Sequence, residues 1–156
     1  EDGNAHARTI PLRDVHSVGI SGGVLMWTDD YIGIPFLPDG RDRDGLDCYG
    51  LVCLVYRDRL GVDLPGIRGI YSRNTAGCLK RVARAMAEEK LKWRKVDVPA
   101  LYDVVMLRTG EYAWHVGLVI DKRRMLHVME GADTMIDEYT GLEWRDRIEG
   151  FYRHAG

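Results

Sequence analysis

The sequence predicts an α+β domain in which helices from its first half pack on an antiparallel sheet built from its second half. Two observations point there. Between residues 48 and 61 apolar side chains recur at helical spacing, with Leu51, Val52 and Val55 on one inward face and Gly61 as a natural stop. From residue 103 onward the pattern changes to short apolar runs of strand length, at 103–108, 114–120, 125–129 and 134–138, with turn residues between them. Helices first and strands after, without alternation of the two, argue against parallel βαβ units.

Composition narrows the class. A chain of 156 residues is one domain of common size and can bury a real core. With 46% hydrophobic and 29% charged residues and a net charge of -2, it reads as an ordinary globular protein, neither disordered nor broadly basic. Nucleic acid is therefore not an expected partner. No apolar run approaches the ~18 residues of a membrane span, so no membrane partner is expected either. The three cysteines cannot all pair, and a reduced thiol is the simpler picture. Glu1-Asp2-Gly3-Asn4 has neither a basic flank nor a hydrophobic stretch, and no export signal is read there.

In chain order, residues 1–23 read as a polar lead-in with one short strand around Val18-Gly19-Ile20, and residues 24–156 as a single domain. Ser21-Gly22-Gly23 lacks the strand, spacing and following helix of a phosphate-binding loop and carries no cofactor role. A short helix or turn is expected over 24–32. Gly33, Pro35 and Pro38-Asp39-Gly40 then impose a loop over 37–46, of which Arg41-Asp42-Arg43-Asp44 is read as a solvated face. After the first main helix come a turn at 62–66, an irregular connection at 66–73, and a second helix capped by Asn74 or Thr75 with Leu79, Val82, Ala83, Met86 and Ala87 as its apolar stripe. Residues 93–99 lead out of that helix, and 150–153 add a last edge strand.

Cys48 is the candidate nucleophile. Asp44, Gly45 and Asp47 supply turn and N-cap chemistry, which sets Cys48 in the first turn of the helix. There the unpaired N–H groups and the positive end of the helix dipole favour a thiolate, and the same N–H groups suit an oxyanion. Most buried cysteines act only as small hydrophobes, and Cys53 and Cys78, without such surroundings, are assigned to packing. His115 and His127 fall on neighbouring strands of one hairpin. A three-residue turn at 121–123 sets Gly117 opposite His127 and makes the two imidazoles diagonal neighbours on one face. His115 then suits the base that takes the Cys48 proton, and His127 the group that orients it. Each histidine taken alone also fits a plain packing role. Together the three are expected to converge in one water-accessible groove.

These residues resemble the NlpC-type cell-wall peptidases, papain-like cysteine enzymes, and are most similar to the branch carried by bacteriophages and phage-like particles. The resemblance runs from about Tyr31 to Tyr152. It is carried by Tyr31-Ile32-Gly33-Ile34-Pro35-Phe36, Asp47-Cys48-Tyr49-Gly50-Leu51-Val52, Asp103-Val104-Val105, His115-Val116-Gly117 and Leu126-His127-Val128. It implies a nucleophile helix packed on a central antiparallel sheet, and hydrolysis of an amide in peptidoglycan stem peptides, typically between γ-D-glutamate and a diamino acid, with no metal or organic cofactor. It implies Cys48 as nucleophile, His115 as base and then acid, and His127 as orienter. Tyr31, Asp47, Tyr49 and Trp114 are the expected substrate-binding residues, with Tyr31 near the scissile carbonyl and Asp47 facing the substrate's amino side. The implied setting is a phage or phage-like tail acting in the periplasm or cell wall, with other tail proteins as partners. Common members carry serine at position 49 and glycine at position 102, where this chain has tyrosines.

Three other readings use the same residues. Cys48, His115 and His127 are acceptable zinc ligands, although they lack the close paired spacing of zinc motifs. A peptidase fold can be retained as a non-enzymatic tail or wall-binding module. A thiol acyltransferase would use the same nucleophile on another acyl donor.

Overall fold

The structure is a computed structural model, and it describes residues 26–65, 88–89, 92–109 and 112–155. The lead-in with its short strand, the connection at 66–73 and nearly all of the second helix, Cys78 included, lie outside the described residues.

Eight strands, one complete α-helix and two residues of another, 88–89, are found among them. A short 3-10 helix at Trp27–Asp30 occupies the segment expected as a helix or turn. The next loop is more ordered than the sequence suggests: β1 (Arg41–Asp42) and β2 (Gly45–Leu46) form a small antiparallel hairpin. Helix α1 spans Cys48–Val55 and continues through a π-helical turn at Tyr56–Leu60. Gly61 then closes it in the left-handed conformation with φ 65, the stop its sequence position predicts.

The sheet consists of β3 (Trp93–Val96), β4 (Val104–Thr109), β5 (Tyr112–Val119), β6 (Arg124–His127), β7 (Met135–Glu138) and β8 (Ile148–His154). Their spatial order is β3-β8-β4-β5-β6-β7, with every neighbouring pair antiparallel. The four runs that become β4, β5, β6 and β7 fall where the strand pattern places them. The expected edge strand at 150–153 does not lie at the edge: β8 is enclosed between β4 and β3. The segment read as a lead-out, Trp93–Val96, is the edge instead. Its two middle residues, Arg94 and Lys95, are exposed charges that hide a strand pattern and suit an unpaired rim.

Burial explains how the helix sits. Seven of the eight α1 residues are buried, so the helix is apolar on nearly every side and is covered all round. Leu51, Val52, Leu54 and Val55 join Val104, Val116, Leu118 and Leu126 of the sheet in one cluster. Each such side chain contributes about 1.5–3 kcal/mol on leaving water. The alternate strand residues Val105, Leu107, Val119 and Met125 face the opposite way and pack with Tyr139 and Trp144. On the helix's hairpin side, a Cβ at Gly50 would collide with the Gly40 carbonyl oxygen, so glycine lets the two backbones meet. At the sheet's other end Arg153 of β8 donates from Nε and Nη2 to Asp103 at 2.9 and 2.8 Å, tying β8 to the start of β4.

Candidate active site

Cys48 opens α1, as its sequence context predicts. Asp47 is the N-cap in extended conformation (φ -89, ψ 177), and its Oδ1 accepts the Gly50 N–H at 2.7 Å. That carboxylate is fully occupied. Arg41 Nη1 donates to Oδ1 at 2.8 Å and the Asp39 N–H to Oδ2 at 3.1 Å, and the side chain is wholly buried. Burial pushes the Asp47 pKa up, against the pull of the Gly50 N–H and the Arg41 guanidinium. Asp47 therefore caps the helix and faces no open cleft, contrary to the expected contact with the substrate's amino side. Arg41 is likewise not part of a solvated face, because its guanidinium holds this buried acid.

Two other expected binding residues are used internally. The Tyr49 hydroxyl donates to the Pro65 carbonyl at 2.9 Å, and its ring lies under the Arg41 guanidinium, 5.8 Å from the ring centre. Burial raises the pKa of its phenol, and burial pushes the neighbouring Cys53 thiol up to about 11, which keeps Cys53 an inert packing group. The Tyr31 hydroxyl donates to Asp58 Oδ2 at 3.2 Å. Asp58 lies ten residues beyond Cys48, about 15 Å along the helix axis. The Tyr31 hydroxyl thus points to the wrong end of the helix for a place beside the scissile carbonyl. The side chain of Trp114 lies outside the described residues.

The histidines do meet. The β5–β6 ladder pairs Leu118 with Leu126 and Val119 with Met125, the register that sets Gly117 opposite His127. His115 Nε2 and His127 Nδ1 are 2.8 Å apart. Trp144 covers both rings: it stacks on His115 at 5.5 Å with 25° between planes and stands edge-on to His127 at 5.6 Å. Burial, and then the facing His127, pulls the His115 pKa down to about 3. Burial also lowers the His127 pKa, opposed by Asp137. Both rings are consequently neutral at ordinary pH, with a lone pair available on each.

The structure departs from the expected open groove. Cys48 is 1% exposed, His115 3% and His127 1%. Strand alternation also puts the imidazoles on the Trp144 face of the sheet, whereas Cys48 belongs to the helix-side cluster. Among the described residues no group of three or more His, Cys, Asp or Glu side chains is arranged to hold a metal ion.

Sequence reading missed two neighbours of the pair. Asp137 Oδ2 lies 3.5 Å from His127 Nε2 and accepts the Trp144 Nε1–H at 2.9 Å. Asp137 was visible as part of a strand, but the β6–β7 connection runs to seven residues, and the hydrogen-bonded turn inside it, Met129–Ala132 with Gly131 at φ 82, does not by itself give the register.

A buried helix opening on a cysteine, packed on an antiparallel sheet that carries two hydrogen-bonded histidines, is an α+β fold of the papain-like kind. The chain belongs to the NlpC/P60 family, whose model matches residues 33–153. The murein DD-endopeptidase MepS/murein LD-carboxypeptidase of Escherichia coli strain K12 is 24% identical over 133 residues, covering 85% of this chain. The chain spans 62% of that relative's length. Among solved structures, the NlpC/p60 domain of the peptidoglycan hydrolase SagA superposes with a TM-score of 0.57 at 16% identity, over 92% of this chain and 99% of that one. An NLP/P60-family protein similar to a lipoprotein, from Staphylococcus aureus subsp. aureus Mu50, gives a TM-score of 0.60 at 16% identity, over 100% of this chain and 43% of that one.

Proposed function

We propose that this domain is a cysteine endopeptidase that hydrolyses an amide bond in peptidoglycan stem peptides, with Cys48 as nucleophile, His115 as base and acid, and His127 as its orienting partner. The observation that carries the reading is the 2.8 Å contact between the two imidazoles, made within a family match that also spans Cys48. Two features support an approach of the thiol to that pair. Helix α1 packs against β5, the strand of His115. The β5–β6 ladder ends at Leu118 and Leu126, three residues short of His115, which leaves the His115 stretch of β5 outside that ladder.

In the proposed cycle His115 takes the Cys48 proton and the sulfur attacks the amide carbon, forming a C–S bond and an oxyanion. N–H groups of the first turn of α1 stabilise that oxyanion. The C–N bond then breaks as the His115 imidazolium gives its proton to the leaving amine. Water, deprotonated by His115, hydrolyses the thioester and returns the thiol. Burial of His115 suits the acid step, because a desolvated imidazolium gives up its proton readily, and it works against the base step, because the same desolvation lowers the ring's affinity for the thiol proton.

The bond between γ-D-glutamate and a diamino acid, and a setting in a phage or phage-like tail with other tail proteins as partners, rest on the sequence resemblance. The name of the E. coli relative favours a second target, a DD-peptide bond. Mass spectrometry of purified muropeptides incubated with the parent and with Cys48→Ala decides among these. A cleaved stem shortened after γ-D-glutamate supports the first bond and an opened cross-link the second. Unchanged muropeptides with both proteins sink the peptidase reading. The burial of Cys48 favours one competitor, a wall-binding module on a retained peptidase fold. Equal binding of parent and Cys48→Ala to purified sacculi, with no new amine groups released by the parent, selects it.

A further inference from the structure

We propose that Asp137 is a positioning residue that fixes the His127 proton on Nε2, so that His127 accepts at Nδ1 from His115 Nε2–H and His115 presents a bare Nδ1 to Cys48. The function assigned to that Nδ1 rests on the peptidase reading above. The proton placement itself rests on the following geometry.

Two neutral imidazoles share a hydrogen bond only if one donates and the other accepts. The 2.8 Å contact between His115 Nε2 and His127 Nδ1 is compatible with either direction. The opposite nitrogen of His127 breaks the symmetry. Its Nε2 is buried and has no close hydrogen-bond partner among the described residues, and it faces Asp137 Oδ2 at 3.5 Å. A lone pair on that nitrogen would confront a carboxylate oxygen at short range. A proton there is attracted instead. With the proton on Nε2, His127 has its lone pair on Nδ1, His115 must donate from Nε2, and the His115 lone pair is left on Nδ1.

Asp137 is itself held in place. Trp144 Nε1 donates to its Oδ2 at 2.9 Å, and the Glu138 N–H donates to its Oδ1 at 2.9 Å. The indole that anchors the acid also stacks on His115, so one side chain shields the contact and aims the carboxylate. The sheet register builds the row. Met125 pairs with Asp137 and His127 with Met135, which makes Asp137 the diagonal neighbour of His127 on the same face, as His115 is from the other side. His115, His127 and Asp137 therefore form one polar line across β5, β6 and β7. Among the described residues, the Arg147 guanidinium lies 5.8 Å from the centre of the Trp144 ring that covers this line.

The test uses the full chain with 15N-labelled histidine. Long-range 15N–1H correlations at neutral pH should show both His127 and His115 protonated on Nε2 in the parent. In Asp137→Asn the His127 signature should become mixed, and kcat on peptidoglycan should fall about 10- to 100-fold, the scale on which metal-bound histidines depend on their carboxylate partners. KM should stay within about twofold, because the lost effect acts on proton transfer. Asp137→Glu, which keeps the charge, should restore the Nε2–H signature and most of kcat. A parent His127 protonated on Nδ1 overturns the proposal even if Asp137→Asn fails to fold, and so does an Asp137→Asn protein with the parent tautomer and kcat. A parent that leaves peptidoglycan intact, yet shows the Nε2–H signature and loses it in Asp137→Asn, sinks the peptidase reading and upholds the proton placement.

Discussion

His115 and His127 touch through Nε2 and Nδ1 at 2.8 Å, and both side chains are buried. Such a pair ties stability to pH. In the unfolded chain both imidazoles titrate near 6.5, whereas in the fold His115 stays neutral down to about 3 and the His127 pKa is also lowered. A depressed folded pKa contributes stability that is complete above the unfolded value and is lost as pH falls toward the folded one. Between pH 6.5 and about 3 the unfolded state takes up a proton at His115 that the fold refuses, so stability should decline with a slope approaching about 1.4 kcal/mol per pH unit from that ring, and His127 adds to the decline in the same direction. Urea unfolding of the parent and His115→Gln across this window checks it. The variant should lose one proton's worth of slope, and identical slopes would contradict the buried neutral ring.

Arg41 and Asp47 make a different kind of pair. Asp47 is buried, and the guanidinium 2.8 Å away is its cation. Arg41→Ala leaves the carboxylate without that partner and should cost about 3 kcal/mol, since a buried charge stripped of its partner is expensive. Asp47→Asn should cost less. An amide oxygen still accepts the Gly50 N–H, and Arg41 keeps the Gly40 carbonyl at 2.8 Å and is partly exposed to water. Chemical denaturation of both variants should give that order, and the reverse order would mean that the cap matters more than the charge.

What could be read from the chain and what could not divides by the range of the interaction. The cap at Asp47, the start at Cys48 and the stop at Gly61 are local, and each stands where the sequence puts it. The β5–β6 register was also legible, because a three-residue turn leaves one pairing that puts both histidines on one face. The contact of Arg41 with Asp47 was not, since a charge run in a loop looks solvated until the hairpin folds it back on the helix. Nor was the place of β8, whose position depends on the highly charged β3 pairing with it from more than fifty residues away. The Asp137–His127 contact depends on a register that no turn specifies. For Tyr31 and Tyr49 the residue types were compatible with a cleft, but their hydroxyls found internal acceptors.

Gly117 lies between the two histidines in the register and leaves no room for a side chain. A Cβ there would stand 2.7 Å from Met125 Sδ and 3.2 Å from Val105 Cγ1. Met125 can swing its end only within a fully buried site, so Gly117→Ala should destabilise the protein by about 1–3 kcal/mol through overpacking. Met125→Ala in the same chain should recover part of that loss by opening the space. A Gly117→Ala protein as stable as the parent in urea would show that the β5–β6 face is looser than this packing.

Tyr102 holds a backbone conformation that favours glycine, at φ 69, immediately before β4. The strain of about 1 kcal/mol is offset by what the side chain and backbone do there. The ring is buried against Trp27 at 5.3 Å, its hydroxyl accepts from Arg59 Nε at 3.2 Å, and its N–H donates to the Val119 carbonyl at 3.0 Å. Its own carbonyl accepts from the Tyr56 hydroxyl. Tyr102→Gly relieves the strain but empties a buried ring site, a change worth about 3–5 kcal/mol for a large aromatic. The glycine variant should therefore be less stable than the parent by about 2–4 kcal/mol, the truncation cost less the relieved strain. Tyr102→Ala removes the same ring and keeps the strained φ, so it should fall below the glycine variant by about 1 kcal/mol. Urea midpoints in the order parent, glycine, alanine are the expected result. An alanine variant equal to or above the glycine one would mean that position 102 relaxes out of the left-handed region once its ring is gone.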